Sequence, residues 1–437
     1  MSREMKYSGF SCIGYIPNNW NTTKIKMLAD MYTGNSISDD MKENYAVNEN
    51  AIPYISTKDL DLSSKSINYD NGLFIPKGEK GFRLAEKDSI LLCIEGGSAG
   101  KKIAFTDRDV NFVNKLCCVK SKKYNNKFIY YYLNSSAFIE QFNINLSGLI
   151  GGVSINLLKQ IIAVVPCMEE QQQIVNYLDK KVYEIDDIIS KQKSLIEKYK
   201  AYKQSLITET VTKGLNKNVP MKDSGIEYLG FIPYNWRMKR LRFMGTLQNG
   251  ISKSSEEFGF GYPFVSYSDV YKNSIIPKSV SGLINSSIKD RDNYSVKEGD
   301  VFFTRTSETI EEVGIASICM NTIEDATFAG FIIRFRAITD ELDNGFSKYY
   351  FRSEIHRKFF VKEMNLVTRA SLSQELLKKL PILIPSIKEQ KEIADFLDKK
   401  CNAIDSAISK KEQLISKLED YKKSLIYECV TGKREVN

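Results

Sequence analysis

Gly14-Tyr15-Ile16-Pro17-Asn18-Asn19-Trp20 returns 216 positions later as Gly230-Phe231-Ile232-Pro233-Tyr234-Asn235-Trp236, and these two tryptophans are the only ones in the 437 residues. A second set of matches closes each copy. Pro166, Glu170-Gln171, Leu178-Asp179-Lys180-Lys181 and Tyr202-Lys203-Gln204-Ser205-Leu206-Ile207 recur as Pro385, Glu389-Gln390, Leu397-Asp398-Lys399-Lys400 and Tyr421-Lys422-Lys423-Ser424-Leu425-Ile426. The chain is two tandem copies of one unit, spanning 6–215 and 222–433. A unit of about two hundred residues is too long for a solenoid repeat and large enough to be a domain with an appendage. The ends match nearly residue for residue, whereas the middles, 40–150 and 256–365, share only echoes such as Pro53-Tyr54-Ile55-Ser56 with Pro263-Phe264-Val265-Ser266. One scaffold thus carries two different reading surfaces.

After Pro166 the period changes from two to seven. With position a at Ile185, Gln192, Tyr199 and Leu206, position d falls at Ile188, Leu195 and Tyr202, and Ile189 and Ile196 at e widen the stripe. In the second copy a is Ile404, Lys411, Leu418 and Leu425, d is Ala407, Leu414 and Tyr421, and e holds Ile408 and Ile415. Neither proline nor glycine interrupts Glu170 to Lys213 or Glu389 to Thr431, so each copy ends in a helix of about 40 residues, or ~60 Å. Gly214 and Gly432 are the stop signals. A helix this long overhangs a domain of some 150 residues, roughly 35 to 40 Å across, and the other copy is its natural partner. The expected seam is Ile185, Ile188, Leu195, Tyr199, Tyr202 and Leu206 against Ile404, Leu414, Leu418, Tyr421 and Leu425, in an antiparallel pair that acts as a ruler.

The globular parts read as mixed α and β. Ala51 to Ser56, Ser89 to Glu95, Ile103 to Phe105 and Lys115 to Val119 are expected strands, followed by an amphipathic helix from Phe128 to Phe142. Tyr262 to Ser266, Asp300 to Arg305, Gly314 to Ile318, Gly330 to Arg336 and a helix from Phe346 to Phe360 repeat that order. Tyr130-Tyr131-Tyr132 and Tyr349-Tyr350 sit at helical spacing among apolar residues and are expected in the core rather than stacking on bases. The fold class is α+β: two pseudo-symmetric mixed α/β domains separated by a pair of long antiparallel coiled-coil helices. The expected boundaries are 1–165, first helix 166–215, linker 216–229, second domain 230–385 and second helix 386–437.

Composition narrows the function. No run approaches the roughly 18 apolar residues of a membrane span, and no signal-peptide region opens the chain, so a cytoplasmic protein is expected. Eight cysteines without C-x-x-C spacing read as reduced, packed thiols. The net charge of +8 favours a polyanionic partner. A single histidine, His356, expected on the surface, cannot build a catalytic triad or a histidine metal site in both copies. Gly96 to Lys102 lacks the first glycine and the Ser/Thr of a phosphate loop. The ten prolines include no Pro-Pro pair, which excludes the Asn/Asp-Pro-Pro-aromatic signature of amino-group DNA methyltransferases, and none precedes an aspartate as in the commonest nuclease motif. Phe258-Gly259-Phe260-Gly261 is expected to be a flexible loop.

The doubled frame of Gly-[Tyr/Phe]-Ile-Pro-x-x-Trp, Pro-x-x-x-Glu-Gln-x-x-Ile (Pro166 to Ile174, Pro385 to Ile393) and Leu-Asp-Lys-Lys before a long helix resembles the specificity subunit of type I restriction-modification enzymes across essentially the whole chain. The resemblance implies two target recognition domains, each reading one half of a split, asymmetric double-stranded DNA site. It implies central helices that dock methyltransferase subunits, two of them, with restriction/translocase subunits as further partners and no membrane. It implies no catalytic residue, metal or cofactor in this chain, with S-adenosylmethionine, ATP and magnesium on partner subunits. Base-contacting residues do not transfer, so candidates are polar or basic residues in loops beside the expected strands: Ser56, Thr57, Lys58, Ser98, Lys101 and Lys115 in the first domain, Ser266, Tyr267, Ser268, Arg305, Thr306 and Arg369 in the second. The other readings are a double-headed protein-binding scaffold without DNA recognition and a self-sufficient enzyme.

Overall fold

The apolar runs that do not align between the copies nevertheless pair in the same order. The computed structural model describes residues 3–46, 50–147, 151–307, 312–363 and 370–436. In the first copy Ile90–Cys93 and Leu116–Lys120, apolar on both faces, form the middle of a four-stranded antiparallel sheet flanked by Asp30–Thr33 and Ile103–Phe105. In the second, Val301–Thr304 and Ile332–Ala337 lie between Gly245–Asn249 and Ala316–Ile318. Register agrees at the sheet end, where Cys93 faces Leu116 and Thr304 faces Ile332. A smaller sheet in each copy is built on one parallel pair, Ala51–Ile55 with Val110–Phe112 and Phe258–Val265 with Thr327–Phe328.

The two long helices run Met168–Lys213 and Ile387–Val430, and Gly214 and Gly432, at φ 75° and 73°, follow their ends. The chain divides into two compact units, Met1–Gln192 with Glu412–Asn437, and Lys193–Lys411. Each unit therefore contains one globular part, the adjoining half of its own helix and the far half of the other copy's helix. In the first unit Lys422 pairs with Asp186 at 2.5 Å and the Arg434 guanidinium lies over the Tyr177 ring. In the second, Lys203 pairs with Asp405 at 2.6 Å and Lys411 lies over the Tyr199 ring. One number rises as its partner falls, so the helices run antiparallel within each unit.

The seam differs from the expected register by one row. Ile185, Ile189, Ile196, Ile404 and Leu425 are buried and Tyr199, Leu206, Ile408, Ile415 and Leu418 half-buried, whereas Ile188, Leu195, Tyr202, Leu414 and Tyr421 are exposed. The helices close on a and e, which alternate by four and three residues as a seam requires, and the d row faces away. Four further readings need correction. The expected single helices are broken in two, as Asn126–Leu133 and Ser136–Ile144, and as Asn344–Tyr350 and Glu354–Glu363, with Ser135 and Ser353 turned back onto the carbonyls of Tyr132 and Tyr350. Phe258–Gly261 begins a strand rather than forming a loop. His356 is buried beside Tyr350 and Phe351, because it occupies the core position of the first copy's Phe138. Within the expected linker, Met221–Asp223 pairs with Phe231–Pro233 as Met5–Tyr7 pairs with Tyr15–Pro17.

Candidate nucleic-acid interface

The repeated motifs are the bonds that fix each globular part to its helix. Trp20 donates its indole N–H to Glu170 at 2.9 Å, and Trp236 donates to Glu389 at 3.0 Å. The buried Gln171 amide accepts from the Asn125 backbone N–H and donates to the Pro166 carbonyl, each at 3.0 Å. Gln390 likewise accepts from the Asp343 N–H at 2.8 Å and donates to the Pro385 carbonyl at 3.0 Å. Asp179 accepts from the Tyr131 hydroxyl and Lys127, and Asp398 from the Tyr349 hydroxyl and Lys348. Tyr132 and Tyr350 donate to the carbonyls of Ile162 and Pro381. The tyrosine runs are thus structural, and burial pushes the hydroxyls of Tyr130 and Tyr350 above the ordinary tyrosine range. The Trp, Glu, Gln and Asp of the repeated motifs thus spend their polar atoms on holding each globular part to its helix, leaving the loops of the divergent middles to differ between the copies.

In the first domain, the candidates gather at one end of the sheets. Lys102 donates to the Thr57 carbonyl at 2.8 Å and Lys65 to the Lys101 carbonyl at 2.7 Å, which holds 56–58 beside 98–102. A cleft of about 380 Å³ lies there, lined by Lys58, Asp59, Asp61, Asn68 and Lys102 among others. Burial and the neighbouring Lys422 hold the Lys65 ammonium below the usual lysine range. Lys58, Lys101 and Lys115 are exposed, and Ser98 half-buried. Ser56 is spent locally: its hydroxyl and N–H both donate to Asp59 in a capping box.

The second domain places its candidates alike. Ser266 caps the short helix Tyr267–Lys272 in the same box with Asp269, leaving Tyr267 half-buried and Ser268 exposed. Arg305 donates to the Gly330 carbonyl at 3.4 Å, one residue beyond Ala329, whose N–H donates to the Val265 carbonyl. The geometry therefore brings Ser266, Tyr267, Arg305 and Thr306 together; Arg369 lies outside the described residues. Sequence reading missed Glu95 and Phe331, which stand at the same sheet ends, because neither is a basic or small polar residue. The expected strands Ser89 to Glu95 and Gly330 to Arg336 also took both residues in at their ends, whereas the observed strands are Ile90–Cys93 and Ile332–Ala337 and leave both outside.

Charge is distributed to match. Each long helix carries as many acidic residues as lysines, eight of each in the first and nine of each in the second, so the whole +8 excess lies outside them. Among the described residues no cluster of histidine, cysteine and carboxylate side chains suits a metal ion, and no helix is long and apolar enough to cross a membrane.

A family model described as the type I restriction modification DNA specificity domain matches residues 17–198 and again 233–419. The chain belongs to this family. Among curated members of known type I systems, the MjaVIII specificity subunit of Methanocaldococcus jannaschii is 23% identical over 427 residues, covering 96% of this chain and 94% of that protein. The EcoKI specificity subunit of Escherichia coli K12 is 21% identical over 401 residues, covering 87% and 82%. In fold, a chain from a solved type I restriction-modification system superposes with a TM-score of 0.74 at 13% identity, covering 96% of this chain and 99% of that one. The HsdS subunit from Thermoanaerobacter tengcongensis superposes with a TM-score of 0.53 at 14% identity, covering 96% and 98%. This specificity-family chain thus has the mixed α and β fold and long helices of such subunits, and its role is recognition rather than catalysis.

Proposed function

We propose that this chain is the DNA-reading subunit of a type I restriction-modification complex, recognising a bipartite, asymmetric double-stranded target in the cytoplasm. The observation that carries the reading is a contrast between the copies: matched bonds in the frame, the same strand order in the four-stranded antiparallel sheets of the middles, and dissimilar side chains at the ends of those sheets. The recognition domains lie within 1–165 and 230–385. Methyl transfer and cleavage, with S-adenosylmethionine, ATP and magnesium, belong to partner subunits.

Exposed apolar residues that repeat between the copies support two copies of one methyltransferase partner. Leu195 and Leu414 are 38% and 41% exposed, and Tyr202 and Tyr421 56% and 47%. Tyr15 and Phe231, and Met27 and Phe243, are exposed at matched frame positions as well. Surface that stays apolar at the same place twice fits a partner that meets each half in the same way. The test is reconstitution with methyltransferase subunits, followed by methylation and DNA-binding assays. The complex is expected to modify one bipartite motif with two methyltransferase subunits per chain, and the chain alone to transfer no methyl group. Sequence-independent behaviour of the complex, or binding insensitive to salt, would favour a protein scaffold instead.

A further inference from the structure

The two domains present equivalent backbone positions with exchanged chemistry, and this assigns individual specificity residues. In the first domain the Ile94 N–H donates to the Lys115 carbonyl at 3.0 Å, and the Val153 N–H donates to the Ile94 carbonyl at 2.9 Å. In the second the Arg305 N–H donates to the Phe331 carbonyl at 2.9 Å, and the Leu372 N–H donates to the Arg305 carbonyl at 2.7 Å. One residue further on, Glu95 bridges to Gly152 as Thr306 pairs with Ser371. The loop then ends at Gly100 or Gly314, each at positive φ (72° and 73°), where an added Cβ would come within 2.6 Å of Phe142 or 2.4 Å of Phe360. Only glycine fits either place, so the loop is fixed at both ends in both domains. At these matched backbone positions the side chains differ: Ile94 against Arg305, Glu95 against Thr306, Lys115 against Phe331.

We propose that this pair of matched sheet ends is the base-reading edge, with Glu95 and Lys115 reading the first half-site and Arg305, Thr306 and Phe331 the second. The assignment rests on the DNA-reading function above. Phe331 is 65% exposed immediately before a strand whose first four residues are buried, and Glu95 places a carboxylate on the edge that also carries Lys58, Lys101 and Lys115. Neither residue serves phosphate binding. Both have a use on base edges: a carboxylate accepts from the cytosine amino group, and an apolar ring covers a thymine methyl. Arg305 and Lys115 have the complementary use, donating to guanine O6 and N7.

The test uses the complex reconstituted with methyltransferase subunits, mapping modified sites in a random-sequence DNA library for the parent chain and for Glu95→Gln, Lys115→Ala, Arg305→Lys and Phe331→Ala. Arg305→Lys keeps the charge and removes the planar fork, so a phosphate contact would survive it and a bidentate guanine contact would be weakened. Phe331→Ala and Glu95→Gln alter exposed side chains and leave the fold intact, which thermal denaturation checks. Discrimination is expected to fall roughly 10- to 100-fold at one base position, confined to one half-site for Glu95 and Lys115 and to the other for Arg305 and Phe331. Motifs unchanged in all four variants, or uniform loss of methylation across sequences, would overturn the assignment while leaving the function standing. A parent complex without any bipartite motif would overturn the function and the assignment with it.

Discussion

His356 shows how far a single side chain departs from its sequence impression. It sits where the first copy has Phe138, its Nε2 has no hydrogen-bond partner among the described residues, and burial pushes its pKa down to about 3. A neutral ring is therefore required: its contribution to stability is fully present above the ordinary histidine pKa of about 6.5 and is lost as pH falls from there towards 3. His356→Phe should stabilise the protein by about 1 kcal/mol by removing an unsatisfied buried nitrogen. Denaturation midpoints of the variant should also fall less steeply than the parent's between pH 6.5 and 3; an unchanged slope would show that other groups set the acid limit. Gln171 and Gln390 represent the opposite case, buried amides whose oxygen and nitrogen are both hydrogen-bonded. Replacing Gln171 by Leu strands the Asn125 N–H and the Pro166 carbonyl and should cost ~2–4 kcal/mol, read as a lower urea midpoint. The identity of these motif residues was plain from repetition, but their partners lie up to about fifty residues away and no local pattern names them.

At the scale of elements, the helices were legible and their contact row was not. Apolar residues occupy a, d and e together, a stripe wide enough to close on either of two registers. The prediction that separates these rows is a pair of substitutions. Ile196→Asp should destabilise the protein by ~3 kcal/mol or more, since it buries an unpaired carboxylate. Leu195→Asp and Leu414→Asp should leave the melting temperature within a few degrees of the parent and abolish assembly with methyltransferase subunits, measured by light scattering. Assembly at parental affinity would remove the d row from the docking surface. The strands of the variable middles were found from their β-branched and aromatic runs, yet their shared topology was hidden. Pairing such as Leu116 with Cys93 and Ile332 with Thr304 is set by tertiary closure, and the two middles reach the same register with different side chains. The break in the Phe128 to Phe142 helix was missed because apolar spacing runs straight through Asn134-Ser135.

For the whole molecule, duplication organises everything: charge outside the helices, shared bonds within the frame, and different residues at equivalent sheet ends. The helical ruler makes a quantitative prediction. Seven residues inserted into each long helix preserve the seam, which repeats every seven, and add about 10.5 Å. The unread gap in the target should lengthen by about three base pairs at 3.4 Å per pair, with both half-site sequences retained. An unaltered gap with full activity would show that the helices do not set the spacing. The most direct test of the central claim is the map of modified bases left by the reconstituted complex on random-sequence DNA. Two different short sequences separated by a fixed number of unread positions are predicted; a single continuous motif, two identical half-sites or modification without a motif would contradict it.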